Sequence, residues 1–197
     1  MPRTSQLTEK RRELLPIVAR TFADLGYRRT TTAELAARCD VRENILYRLW
    51  SDKKAMFIAA IGYVYESSIA IWGRLLEAGD GKQSAAERLL EYEAEHFGEF
   101  GHYRIIFAGL SETDDPDVRA ALADMYQRYQ RFVREQIVAH RGKKRRGHER
   151  DPLLAAWAVV GLGTVANIAR ELGLVNAPQR RRLFVEIGRL LLDGSDG

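Results

Sequence analysis

The sequence has 197 residues, 46% of them hydrophobic, which suffices for one large or two modest folded domains. This composition excludes a disordered, collagen-like or low-complexity chain. The net charge of +4 lies in the N-terminal quarter, because residues 1–53 hold 11 basic and 7 acidic residues, whereas residues 54–197 hold 20 of each. A polyanionic partner would therefore meet that quarter of the chain.

Cysteine usage and the N-terminal residues predict a cytoplasmic protein. The single cysteine, Cys39, cannot form an intramolecular disulfide, and residues 1–12 lack the apolar core of a signal peptide. The longest apolar stretch, residues 153–166, has 14 residues, whereas a membrane-spanning helix needs roughly 20. We therefore expect no membrane-spanning segment and no membrane partner.

The first predicted element is an amphipathic helix over residues 10–25. Its apolar face is formed by Leu14, Val18, Phe22 and Leu25. Pro16 removes a backbone donor and crowds the preceding turn, so we expect the helix either to begin near Glu13 or to bend at the proline. Gly26 allows the left-handed backbone that would end the helix.

Two short helices are predicted next, over residues 32–39 and 42–50, joined by a turn at Asp40 and Val41. Helices of about two turns are unstable alone, so both must pack on the first helix. Three helices with a turn between the last two have the geometry of a helix-turn-helix, whose last helix enters the major groove of DNA. Helix lengths and charge alone leave DNA binding and a helical interaction module equally open.

The rest of the chain is predicted to be helical, with no sheet. Helices are expected over residues 52–78, 84–100, 102–110, 116–140, 152–172 and 178–192. Ser51 is the expected cap of the first of these, and Ser84 with Glu87 forms a capping box at the start of the second. We predict an all-α chain with a helix-turn-helix domain over residues 1–53 and a second helical domain over residues 54–197.

Residues 141–150 are the one strongly biased stretch, with six basic residues, one acidic residue and two glycines. Glycines disfavour a helix there, so we interpret the stretch as a solvated, mobile loop.

The segment from Phe22 to Met56 resembles the N-terminal domain of TetR-family transcriptional regulators. The matching residues are Phe22, Gly26, Tyr27, Thr31, Thr32, Leu35, Ala36, Val41, Leu46, Tyr47, Trp50 and Lys53. The resemblance covers residues 12–56, and the remainder is similar only in its length and helical pattern. It implies a transcriptional regulator that binds a pseudo-palindromic DNA operator as a homodimer, most often a repressor that a small molecule releases.

Four residues at the start of the third helix are the predicted base readers: Arg42, Glu43, Asn44 and Arg48. Arginine suits a guanine edge, asparagine an adenine edge, and glutamate can accept from cytosine. The predicted phosphate contacts are Thr31, Thr32, Tyr47 and Lys53. This sequence departs from the family pattern by placing Arg42 where a serine cap is usual, so we expect Asp40 to supply that cap.

Two further sites are predicted in the C-terminal part. The helix over residues 152–172 is apolar on almost every face, which indicates that a partner covers it. The predicted dimer interface comprises Trp157, Val160, Gly161, Leu183, Ile187, Leu190 and Leu191; the alternative is that both helices are the core of a monomer. The resemblance also implies a pocket for an apolar or aromatic effector, for which the candidates are Trp72, Phe97, Phe100, Tyr103, Phe107, Tyr126 and Tyr129; the alternative is that these rings fill the core.

An enzyme is the competing class of function. Glu93 with His96 and Glu99 with His102 have the spacing found in di-iron carboxylate bundles. Both pairs lie within a few residues of each other, so they cannot converge from separate helices. No P-loop, G-x-S-x-G or dinucleotide-binding pattern occurs. We predict no catalytic residue, metal or cofactor, and keep a non-enzymatic interaction module as the main alternative to a regulator.

Overall fold

The structure is a computed structural model that describes residues 3–77, 83–96, 98, 101–144 and 151–194. Every regular element in these ranges is helical, which confirms the predicted all-α class. The helices are α1 Arg3–Arg29, α2 Thr32–Arg38, α3 Glu43–Leu49, α4 Lys53–Glu77, α5 Ala85–His96, α6 Tyr103–Leu110, α7 Pro116–Lys144, α8 Pro152–Glu171, α9 Ala177–Arg182 and α10 Gly188–Asp193. A π-helical turn at Leu183–Ile187 joins α9 to α10.

The helices form two compact units. Unit 1 consists of residues 1–67 and 100–125, and unit 2 of residues 68–99 and 126–197. Unit 1 therefore contains the three N-terminal helices together with α6, and unit 2 contains α5, α8, α9 and α10. The division of the chain at residue 53 stays a prediction about function.

Helix α1 is longer than its sequence pattern predicts. It starts at Arg3 and continues through Pro16, so the expected start near Glu13 is wrong, and its only residue with non-helical dihedral angles is Gly26 (φ 75°, ψ 170°). Leu14, Val18 and Phe22 are buried with at most 1% of their surface exposed. Burial of this apolar face outweighs the one hydrogen bond that the proline removes. Only glycine adopts the Gly26 conformation without strain, which explains the change of direction there.

The caps of the next helices differ in part from the expectation. The Thr31 side chain accepts a hydrogen bond from the Glu34 backbone N–H (3.1 Å) at the start of α2. Asp40 does not cap α3: it adopts a left-handed conformation (φ 52°), and the cap residue Arg42 makes no side-chain capping bond. Asp52, not Ser51, caps α4, because its carboxylate accepts the backbone N–H of Ala55 at 2.7 Å. A carboxylate also suits the positive end of the helix dipole.

Unit 1 is held together around helix α1, which packs against α2, α3 and α6. The rings of Phe22 and Phe57 lie 4.9 Å apart, edge to face, in its core. At its surface Arg28 pairs with Glu112 at 2.8 Å, and Lys54 pairs with both Asp117 (2.6 Å) and Asp115 (3.1 Å). Residues far along the chain are thus part of the same compact unit as the N-terminal helices.

Unit 2 has an apolar core built by α5, α7, α8 and the C-terminal helices. The capping box at Ser84 and Glu87 is confirmed by both reciprocal bonds (2.8 and 3.2 Å). Helix α7 extends to Lys144, so residues 141–144 are helical and not part of the expected loop. Arg141 is buried and donates to the carbonyls of Leu192 and Leu191, both at 2.9 Å, where α10 ends. Capping of that helix end outweighs the weak helix propensity of Gly142, whereas residues 145–150 lie outside the described ranges.

Helices α4 and α8 are long and apolar enough to cross a membrane by length and composition alone. Helix α8 has 20 residues, more than the 14-residue stretch that the sequence suggested. Met56, Phe57 and Ile61 of α4 are buried within unit 1, and Ala156 and Ala166 of α8 within unit 2. Core helices of folded domains show the same burial of apolar side chains.

Candidate functional site

The start of α2 and the recognition helix α3 are joined by a short chain of side-chain hydrogen bonds. The Thr32 hydroxyl donates to the Glu43 carboxylate at 2.7 Å and accepts from the Tyr47 hydroxyl at 3.3 Å. Leu35 and Leu46 are fully buried beneath this surface and anchor the two helices. Three residues predicted to touch DNA therefore form one exposed group, in which Tyr47 keeps 49% of its surface.

Arg42, Asn44 and Arg48 extend this exposed surface along α3. Within the described part of the chain none of their side chains has a hydrogen bond, ion pair or ring contact. Most other N-terminal cations are used internally. Arg38, for example, pairs with Glu34 (2.7 Å) and Asp24 (3.0 Å). Two of the cations still free to meet an external anion, Arg42 and Arg48, thus lie on the recognition helix.

Lys53, which the sequence predicts to contact a phosphate, is bound by groups of its own chain. Its ammonium group donates to the backbone carbonyls of Tyr27 (3.1 Å) and Thr30 (3.0 Å) and lies 4.4 Å from the centre of the Tyr27 ring. The lysine therefore ties the end of α1 to the start of α4. Burial, with the carboxylate of Asp115, raises the pKa of Tyr27, so this ring stays neutral beneath the cation.

Comparison with known proteins identifies this arrangement. Residues 19–60 match the family model for bacterial regulatory proteins of the tetR family. The match spans the end of α1, the helix-turn-helix and the start of α4, which include all eight residues predicted to touch DNA. The site and fold thus define a helix-turn-helix transcriptional regulator that binds DNA. Residues 19–60 carry the helix-turn-helix of the TetR family.

Solved structures share the fold across almost the whole chain. A Rhodococcus sp. protein assigned to the TetR family is 18% identical, with a TM-score of 0.80, and the alignment covers 94% of this chain and 99% of that one. Reduced NemR from E. coli is 16% identical (TM-score 0.75; 92% and 96% covered). A regulator from Saccharomonospora viridis in complex with choline is 17% identical (TM-score 0.75; 93% and 96% covered). A search of curated proteins found no match.

The residues predicted to form a dimer interface lie on α8 and the C-terminal helices. Trp157, Ile187 and Leu190 are exposed by 43%, 41% and 50%, and Gly161 is exposed as well. Val160, Leu183 and Leu191 are half-buried. Further exposed apolar side chains on α8 are Leu153, Leu154, Val165 and Ile168. This amount of uncovered apolar surface is unusual for a monomer.

The predicted effector-pocket residues fall into two groups. Tyr103 and Phe107 belong to unit 1, where their ring centres are 5.9 Å apart. Trp72, Tyr126 and Tyr129 belong to unit 2, where the rings of Trp72 and Tyr129 are 5.7 Å apart. Phe97 and Phe100 lie outside the described residues.

Glu93 is a polar residue of this region that the pocket prediction missed. The Trp72 indole N–H donates to its carboxylate at 2.7 Å. Burial raises the pKa of Glu93 to about 7, against the opposing effects of the Trp72 hydrogen bond and of His96. The sequence had drawn attention to Glu93 only through its spacing from His96, as a possible metal ligand.

The structure also bears on the enzyme alternatives. Among the described residues no three histidine, cysteine or acidic side chains converge on a possible metal site. Ser84, His140 and Asp193 do form a hydrogen-bonded row. The Ser84 hydroxyl lies 2.7 Å from Nδ1 of His140, and the Asp193 carboxylate lies 3.0 Å from its Nε2. His140 is only 2% exposed, and the Ser84 hydroxyl already caps α5. These contacts join α5, α7 and α10 within unit 2, which is a structural role.

Proposed function

We propose that this chain is a cytoplasmic, non-enzymatic repressor that binds a pseudo-palindromic operator as a homodimer. The single observation that carries the proposal is the exposed surface of α3, where Arg42, Asn44 and Arg48 have no partner within the described part of the chain. A surface that leaves strong donors unpaired suits base edges and phosphates, which supply the missing acceptors. The neighbouring Thr31, Thr32 and Tyr47 would contact the backbone, as free N–H groups at the start of α2 also could.

Glu43 and Lys53 have more constrained roles in this proposal. Thr32 holds the Glu43 carboxylate, so Glu43 would reach a cytosine amino group only in that fixed orientation. Lys53 already uses two of its three N–H donors on carbonyls, leaving one for a phosphate. Its main contribution would then be to hold the end of α1 and the start of α4 in position.

The dimer is proposed from the exposed apolar side chains of α8, the π-helical turn and α10. Two-fold symmetry would place two recognition helices on successive half-sites, about one helical turn of DNA or a multiple apart. Trp157, Gly161, Ile187 and Leu190 would lie in the covered surface, which explains why apolar side chains remain exposed in one chain.

We propose further that a small molecule bound in the C-terminal part releases the operator. One structure with this fold is a complex with choline, which supports the binding of a small molecule by a protein of this fold. The aromatic residues of unit 2 are the favoured site. Such a ligand would bind more tightly to a conformation whose two recognition helices do not match the operator. DNA binding would then weaken by the ratio of the ligand's affinities for this conformation and for the DNA-binding one.

The test uses duplexes selected by the protein from random DNA, followed by affinity measurements on variants. Arg42→Ala and Asn44→Ala should each relax the preference at one base position, by about 1–3 kcal/mol. Tyr47→Phe should weaken cognate and random duplexes alike, by about 1 kcal/mol, since it removes one hydroxyl. Arg134→Ala, which removes an exposed charge from α7, is the matched control and should change neither. Equal losses on cognate and random DNA for all α3 variants would overturn the assignment of base readers.

A further inference from the structure

The group of side chains around Glu93, which we call the acid-aromatic cluster, comprises Ser68, Trp72, Glu93, Tyr129 and Phe132. All belong to unit 2 and come from three helices: α4, α5 and α7. The Trp72 ring lies 5.1 Å from Phe132 and 5.7 Å from Tyr129, measured between centres. The hydroxyl groups of Ser68 and Tyr129 are 2.9 Å apart, which fixes α4 against α7. The cluster is therefore organised before any ligand arrives.

The Glu93 carboxylate is an incompletely compensated charge. One oxygen accepts the Trp72 N–H, whereas the structure gives the carboxylate no ion pair within the described ranges. Other acidic residues of the same helix do have cations nearby: Glu95 lies 3.7 Å from Arg181, and Glu91 lies 3.5 Å from Arg189. Taking a carboxylate out of water without a cation is costly, and this cost is what raises the pKa of Glu93.

The cluster also retains surface that a ligand could reach. Glu93, Trp72, Tyr129 and Phe132 are all only partly buried. The side chains on both sides of the Trp72–Glu93 hydrogen bond thus keep surface that a ligand could contact. An aromatic ring attracts a cation that reaches its face.

We propose that the acid-aromatic cluster binds an organic cation, such as a substituted ammonium group, and that this cation is the effector. This inference rests on the proposed function only where it assigns the cation the role of effector. Cation binding itself can be measured without DNA. A bound cation would supply the counter-charge that Glu93 lacks among the described residues. The rings of Trp72, Tyr129 and Phe132 would add cation–π attraction. A neutral molecule of the same shape would gain apolar contact alone and leave the carboxylate uncompensated.

The experiment compares phenyltrimethylammonium with tert-butylbenzene, its neutral isostere, by calorimetry at pH 8 on the full chain. The wild type should bind the cation at least 10-fold more tightly than the isostere. Glu93→Gln keeps the side-chain shape and can still accept the Trp72 N–H, so it should abolish this preference by weakening the cation alone. Glu95→Gln, on the exposed side of the same helix, is the matched control and should preserve it.

Three results would overturn the inference: equal binding of both probes by the wild type, cation binding by Glu93→Gln as tight as by the wild type, or no binding of either probe. The wild-type comparison decides the question even if the variant does not fold. Operator affinity is measured in parallel with and without the cation, and the cation should release wild-type protein but not Glu93→Gln. If the wild type binds DNA but no cation, this inference fails and the proposed function stands; if it binds the cation but no DNA, the reverse holds.

Discussion

At the scale of single residues, the protonation of Glu93 links the acid-aromatic cluster to stability. Its carboxyl group has a pKa of about 7 in the folded chain, compared with an ordinary value of 4.5. At a pH between these two values, Glu93 binds a proton when the chain folds. Its contribution to the free energy of unfolding is therefore complete below pH 4.5 and is lost as the pH rises through 7. The Trp72 indole that donates to Glu93 carries no charge, and His96 on α5 is the ionisable neighbour that opposes the shift.

Glu93→Gln should remove this pH dependence, because the amide does not ionise. We expect the melting temperature of the variant to equal that of the wild type near pH 4.5 and to exceed it at pH 8. At about 1.4 kcal/mol for each unit of pKa shift, the gain is at most about 3 kcal/mol, reduced to the extent that water reaches the carboxylate. Thermal unfolding of wild type, Glu93→Gln and Glu95→Gln across this range is the measurement. A Glu93→Gln curve parallel to that of Glu95→Gln would contradict the shifted pKa.

The residues of the candidate DNA surface were predictable for a physical reason. Thr31, Thr32, Glu43 and Tyr47 lie within one short segment, and the helix-turn-helix geometry that its family resemblance implies brings the side chains of α2 and α3 to one surface. Glu93 was not predictable as part of the aromatic group, because its hydrogen-bond partner Trp72 is 21 residues away in sequence. Burial of a carboxylate depends on such distant contacts, which a single sequence does not reveal.

At the scale of helices, the N-terminus of α4 depends on one capping residue. Asp52→Ala should destabilise the chain by about 1 kcal/mol, because it removes the acceptor of the Ala55 N–H and a negative charge at the positive end of the helix. Ser51→Ala should have an effect within about 0.5 kcal/mol, since its hydroxyl contacts only Asp52. Denaturant unfolding of both variants measures the difference. A larger loss for Ser51→Ala than for Asp52→Ala would reverse the assignment.

The helices themselves were largely predictable, and their ends were not. Amphipathic patterns located each helix, but α1 begins earlier than expected and α7 ends later. In both cases a residue that disfavours a helix, Pro16 or Gly142, is overridden by burial of its neighbours. The N-terminal cap of α4 was not predictable either. Ser51 and Asp52 are adjacent and both are good capping residues, so only the backbone geometry determines which of them caps the helix.

At the scale of the whole molecule, the exposed apolar side chains predict the oligomeric state. Leu154 and Leu190 are 66% and 50% exposed, and lysine at both positions should convert the dimer into a folded monomer. Val138→Lys changes a side chain that is 51% exposed on α7 and should leave the dimer intact. Analytical ultracentrifugation distinguishes these outcomes, and a wild type that sediments as a monomer would refute the dimer.

Gly161→Ala is a milder test of the same surface. A methyl group at Gly161 would meet no atom of its own chain within 4 Å, so the isolated chain should be slightly stabilised by the better helix former. If a second copy packs closely there, the same methyl group should weaken association instead. By contrast, a methyl group at Gly188 would approach Leu90 to 2.3 Å, so that position responds to packing inside one chain.

The membership of α6 in unit 1 has a practical consequence for protein engineering. A chimera that grafts residues 1–53 onto another regulator would separate Arg28 from Glu112 and expose the side of α1 that α6 covers. A transplant that also carries residues 54–67 and 101–125 keeps Lys54 with Asp115 and Asp117. Exchange of operator specificity between such proteins should therefore use two discontinuous pieces of sequence, with crossover points inside α4 and α7.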